Sequence, residues 1–216
     1  MDPMDQAVQR VLDQYETRAA AEAKLWHELE WDAIVREIDK FLLAVGPATG
    51  RLMNLLVKQA GFKVILEIGT SYGYSTLWLA EAARATGGRV ITLELHAGKQ
   101  DYARERLTEA GLASVVDFRL GDAKDALTNL ETHVDFVLLD LWKDLYIPCF
   151  DLFYPRLSPG ALVVADNMLF PEDSRAHTSA YRHHVRSKKD MQSVLLQVGS
   201  GLEVSRCTRG VSPVEI

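Results

Sequence analysis

Cysteine is scarce in this 216-residue chain: Cys149 and Cys207 are the only two, far apart and in no C-x-x-C pair. That excludes a disulfide framework and a cysteine zinc site, and it fits a reducing, cytoplasmic setting. Basic residues are in the minority, 24 Lys and Arg against 30 Asp and Glu, for a formal charge of −6. No global positive field exists to attract a phosphate backbone, so nucleic acid is not an expected partner. No run approaches the ~18 apolar residues of a membrane span, and the opening MDPMDQAVQR lacks the apolar core of a secretory signal. The chain also has no G-x-S-x-G nucleophile elbow, no internal repeat and no low-complexity linker.

What is present reads as one domain of β-α-β-α type. From Asp5 to about Leu43 apolar residues fall at helical spacing (Val8, Val11, Leu12, Tyr15, then Ile34, Val35, Ile38, Phe41, Leu42), which predicts two amphipathic helices. A third helix starts near Pro47 and stops at Gly61. Apolar runs then alternate with helical segments: KVILEI, RVITLEL, VVDFRL, DFVLLD and ALVVAD, the pattern of a largely parallel sheet. MQSVLLQV and LEVSRCTR flank GSG and predict an antiparallel hairpin closing one edge.

LEIGTSYGYST, residues 66–76, follows the first parallel strand and opens a helix, so Gly69 and Gly73 can let the backbone approach a ligand. The spacing is G-x-x-x-G, without the G-x-G-x-x-G fingerprint that seats a pyrophosphate, which disfavours a nicotinamide enzyme. Glu94 ends the second strand about 20 residues on, where a carboxylate accepts both hydrogens of a ribose diol. Together these features predict a nucleoside without pyrophosphate, S-adenosylmethionine being the commonest such cofactor.

FVLLDLWKDLY, residues 136–146, closes a core strand with an acid, an aromatic and a base. If the next strand, ending in Asp166-Asn167, is its neighbour at ~4.8 Å, two carboxylates and an amide oxygen meet at one spot. Such a hard oxygen set suits Mg²⁺, and Mn²⁺ or Ca²⁺ could substitute. Lys143, three residues after Asp140, can turn toward the same cation, whose charge favours a neutral amine able to remove a proton.

The order of LEIGTSYGYST, Glu94, GDAKDAL, LLDLWKDLY and VVADN resembles the metal-dependent class I O-methyltransferases, and DLWKDLYIP is especially similar to their catechol O-methyltransferase branch. The resemblance runs from roughly Phe41 to the C-terminus. It implies a Rossmann-like, doubly wound α/β fold: a seven-stranded, mostly parallel sheet with an antiparallel last strand and an N-terminal helical cap. It implies Asp140, Asp166 and Asn167 as metal ligands and Lys143 as general base. Glu67, Gly69, Thr70, Ser71 and Ser75 would hold the methionine portion of S-adenosylmethionine, with Glu94 at the ribose, Ala123 by the adenine, and Val45 and Asp140 also against the cofactor. Trp142 would form an aromatic wall against a small phenolic substrate, with Pro171 and Phe41 near the rest of that gate, and Lys143 and Asn167 would also face the substrate.

Two departures bear on the acceptor. Val194 falls where the catechol enzymes carry an acid, and Leu141 replaces a polar neighbour. Methylation of a nonphenolic hydroxyl or an amine, or cofactor binding without turnover, are the alternative functions. The N-terminal segment with Trp26 and Trp31 is a candidate cap over the site and equally a homodimer contact. His183-His184, in the basic stretch YRHHVRSKKD without an acid at metal spacing, reads as a solvated face.

Overall fold

A computed structural model describes residues 5–28 and 36–210. Among them, seven strands form one sheet: β1 (Val64–Ile68), β2 (Arg89–Glu94), β3 (Val116–Leu120), β4 (Val134–Leu139), β5 (Leu157–Ala165), β6 (Met191–Leu196) and β7 (Leu202–Cys207). Their spatial order is β3-β2-β1-β4-β5-β7-β6. The first five are parallel, and β7 runs antiparallel to both β5 and β6, as the Gly199-Ser200-Gly201 turn predicts.

Helices cover both faces: α1 (Gln6–Glu28), α2 (Pro47–Ala60), α3 (Tyr74–Thr86), α4 (Ala97–Glu109), α5 (Ala123–Thr128), α6 (Tyr146–Phe153) and α7 (Arg175–Ser187). Continuous apolar runs arise because successive strand residues serve different cores. Ile65, Phe136 and Leu138 pack with α1 to α4, while Leu66, Ile68, Val137 and Leu139 pack with α5 to α7. α2 begins with Pro47 in its first turn and ends on Gly61, whose φ of 67° is the left-handed cap that glycine adopts without strain.

The second N-terminal helix is only partly testable, since Trp31, Ile34 and Val35 lie outside the described residues. Within them, residues 38–40 form a single 3-10 turn and Phe41 is extended. No described helix is long and apolar enough to cross a membrane.

The sheet changes direction of progression between β1 and β4: the chain moves outward from β1 to β2 and β3, then returns to the far side of β1. In register, Ile68 lies beside Leu139 and Leu139 beside Ala165. The carboxyl ends of β1, β4 and β5 are therefore level, where a doubly wound sheet opens its ligand crevice.

Candidate active site

A cleft of about 830 Å³ opens at those strand ends. Gly69, Thr70, Ser71, Ser75, Glu94 and Ala123 line one end; Asp140, Trp142, Lys143, Asn167 and Pro171 line the other, with Val45 also on the wall. Three non-glycine residues among those described have positive φ: Leu43 at 49°, Ser71 at 47° and Asn167 at 56°. All three line this cleft. Conformations of that kind persist where the surrounding structure over-determines them, and they concentrate at functional sites.

The glycine loop is built for a tighter fit than the sequence suggests. Gly69 has φ 105°, and a Cβ there would collide with the Asp140 carbonyl oxygen. Its lack of a side chain therefore lets β1 and β4 end side by side. Gly73, at φ 90°, faces Ala103 and the Tyr15 hydroxyl, where a Cβ would come within 2.7 Å of the alanine methyl. These glycines, expected to admit a ligand, first admit neighbouring protein.

Glu94 is nearly buried, and its carboxylate accepts three backbone N–H groups: Ser71 at 2.8 Å on Oε2, with Leu95 at 3.0 Å and His96 at 2.9 Å on Oε1. Glu67 does not line the cleft. It lies fully buried beneath the loop, its Oε2 accepting from Thr76 and Thr92, each at 2.6 Å, while Oε1 has no partner. Burial pushes its carboxyl up to about 7, against the hydroxyl hydrogen bonds that favour the anion.

At the other end, the Asp140 N–H extends the ladder to the Ile68 carbonyl at 3.0 Å, and the Asp166 N–H to that of Leu139 at 3.1 Å. The two acids thus leave adjacent strands at the same level, as the spacing predicts. Asp166 is buried and does not line the cleft itself; burial, then the charge of Asp140, pushes its carboxyl up to about 7. Lys143 Nζ is surrounded by four oxygens: Tyr146 Oη at 2.6 Å, Asn167 Oδ1 at 2.8 Å, the Leu141 carbonyl at 3.1 Å and Asp140 Oδ1 at 3.4 Å. Burial lowers the lysine pKa from its ordinary range, opposed by Asp140 and Asp166. Among the described residues, no cluster of three or more His, Cys, Asp or Glu gathers as a metal site. The oxygen set here is two acids and an amide.

Trp142 is 63% exposed and lines the cleft together with Phe170 and Pro171 from the loop after β5. One expectation needs correction. Phe41 is buried away from the cleft, and the extended chain after it turns Leu42 and Leu43 to the wall instead. Val194 sits within β6 opposite Val204, half exposed, and does not line the cleft; that hairpin contributes Ser200 from its turn. None of the described side chains of α1 lines the cleft; Val8, Val11, Leu12 and Tyr15 bury the helix against the helical layer, and the cap expected from Trp26 and Trp31 rests on side chains outside the described residues. His184 does have an acidic partner, Asp151 on α6 at 2.7 Å.

Residues 16–207 match the family model described as O-methyltransferase. The chain belongs to the O-methyltransferase family. This O-methyltransferase is 37% identical over 131 residues to a catechol O-methyltransferase of Niastella koreensis, an alignment covering 59% of each chain and so less than two thirds of that relative's length. It is 28% identical over 227 residues to catechol O-methyltransferase B of Danio rerio, covering 96% of this chain and 83% of that one. Among solved structures, the O-methyltransferase from Bacillus cereus in complex with SAH superposes with a TM-score of 0.74 at 28% identity, covering 96% and 93% of the two chains. The reaction class expected from the sequence, S-adenosylmethionine-dependent O-methyl transfer, agrees with that membership.

Tyr146 of this O-methyltransferase was not assigned a role from the sequence, although it stands three residues after Lys143, a helical spacing that brings the two side chains together. Its hydroxyl accepts from Lys143 and donates to the Asp166 carbonyl at 3.1 Å.

Proposed function

We propose that this O-methyltransferase moves the methyl group of S-adenosylmethionine to one hydroxyl of a small vicinal diphenol. One observation carries the reading: Lys143 Nζ lies among Asp140, Asn167 and Tyr146 oxygens in the same cleft as the glycine loop and Glu94. The donor chemistry fits Mg²⁺, since carboxylate and amide oxygens are hard ligands, and a cation there would counter the burial and the Asp140 charge that push the Asp166 carboxyl up. Asp140, Asp166 and Asn167 would hold the ion, and Mn²⁺ or Ca²⁺ suits the same oxygens. Bound there, it would supply Lewis acidity to a substrate hydroxyl.

Lys143 takes the proton of the attacking hydroxyl at Nζ, and Tyr146 and the Leu141 carbonyl aim it. S-adenosylmethionine supplies an electrophilic methyl; the O–C bond forms as the C–S bond breaks, leaving an ether and a thioether. Anion and sulfonium are neutralised together, so the chain's main contributions are in-line alignment and a dry site. Trp142 and Pro171 flank the aromatic ring. The reading includes a cytoplasmic setting, in keeping with two buried, unpaired thiols. A panel of vicinal diphenols and matched monophenols, incubated with S-adenosylmethionine and scored for O-methyl products, tests it: methylation of the diphenols alone is expected, and equal methylation of monophenols contradicts it.

A further inference from the structure

Residues 38–45 form a strap along the cleft, with Ile38, Asp39, Leu42, Leu43, Ala44 and Val45 on its wall. After the 3-10 turn this strap has no helix or strand of its own, so side chains from other elements must fix it. Two of them come from α1, none of whose described side chains lines the cleft. Arg18 Nε donates to Glu22 Oε1 at 2.7 Å, and a second Arg18 nitrogen donates to the Lys40 carbonyl at 2.9 Å. Glu22 Oε2 accepts the Leu42 N–H at 2.7 Å. The Arg18 guanidinium is itself fixed over the Tyr72 ring, 4.2 Å from its centroid.

The contacts continue into the loop and the acid. Ser71 Oγ donates to the Leu42 carbonyl at 3.4 Å, and Ser71 N–H donates to Glu94 Oε2 at 2.8 Å. Leu42 thus has its N–H held by α1 and its carbonyl held by the glycine loop. We infer that Arg18 and Glu22 are positioning residues for cofactor binding, holding the strap and, through Leu42 and Ser71, the loop in the arrangement that receives the nucleoside. This rests on the reading that the glycine-loop end of the cleft takes S-adenosylmethionine. A strap that is pre-set costs the ligand nothing to order; once released, apparent affinity falls with the fraction of molecules in the competent arrangement.

The test is SAH affinity and the split between KM for S-adenosylmethionine and kcat, in folded protein checked by thermal melting. Glu22→Ala should weaken SAH binding and raise KM about five- to twentyfold while kcat at saturation stays within about twofold. Glu22→Gln, which keeps one acceptor but not both, should fall between it and the parent, and serves if the alanine variant does not fold. Gln14→Ala removes a comparable contact of α1 to Glu109 and Arg106 on α4 without touching the strap, and should leave SAH affinity unchanged. Equal affinity in Glu22→Ala and the parent, or an equal loss in Gln14→Ala, overturns the inference. A parent protein that binds no SAH overturns it together with the cofactor reading.

Discussion

Lys143 Nζ and the Tyr146 hydroxyl lie 2.6 Å apart, and the same hydroxyl donates to the backbone of Asp166. Tyr146 therefore fixes the lysine against the acid-bearing strand end while being fully buried and out of the cleft itself. Tyr146→Phe keeps the ring and its packing against Tyr181 but removes the shortest of the four oxygen contacts of the amine. We expect kcat to fall about tenfold, with KM for S-adenosylmethionine unchanged and the pH profile displaced. An unaltered kcat and profile would show that the tyrosine only packs.

Lys143→Arg tests the base. Burial lowers the lysine pKa, and the amine must be neutral to accept a proton, so the parent's kcat should rise with pH through the lysine's depressed value and then level off. Arginine stays protonated, so the variant should lose turnover by at least about a hundredfold while SAH binding persists. Retained turnover removes Lys143 from the reaction.

Glu67 makes a prediction about stability in the ligand-free protein. Its carboxyl titrates near 4.5 when unperturbed and near 7 in the fold, chiefly because of burial. Between those values the folded chain keeps the proton that the unfolded chain releases. Glu67 therefore contributes stability fully below about 4.5, loses it as pH rises toward 7, and changes nothing above. Glu67→Gln should gain on the parent by about 1–3 kcal/mol between pH 4.5 and 7.5 in denaturant titrations. A pH-independent difference between the two would refute the assignment.

Gly69→Ala places a methyl against the Asp140 carbonyl at a φ that alanine resists. Parting β1 from β4 at that point should cost about 2–4 kcal/mol and weaken SAH binding. A melting temperature like the parent's would mean the strand ends yield freely.

Much of this was legible in the sequence because strand ends follow from hydrophobic runs. FVLLD and ALVVADN fix where β4 and β5 stop, and parallel pairing then carries Asp140 and Asp166 to one level. Glycine spacing marked the loop but not the reason for it, since the atom Gly69 clears belongs to Asp140, some seventy positions away. The resemblance put Phe41 near the gate, but the chain is extended after the 3-10 turn and turns Leu42 and Leu43 to the cleft wall instead. The α1 contacts to Lys40 and Leu42 join side chains to backbone across about twenty residues, a relationship no local pattern encodes.

The central claim is that the oxygens at the ends of β4 and β5 hold a divalent cation on which methyl transfer depends. The direct measurement is catechol methylation by chelator-stripped enzyme titrated with Mg²⁺ at saturating S-adenosylmethionine. A rate near zero without the ion that climbs to a plateau as it is added is the predicted result. An undiminished rate in the stripped enzyme, flat across the titration, would contradict it.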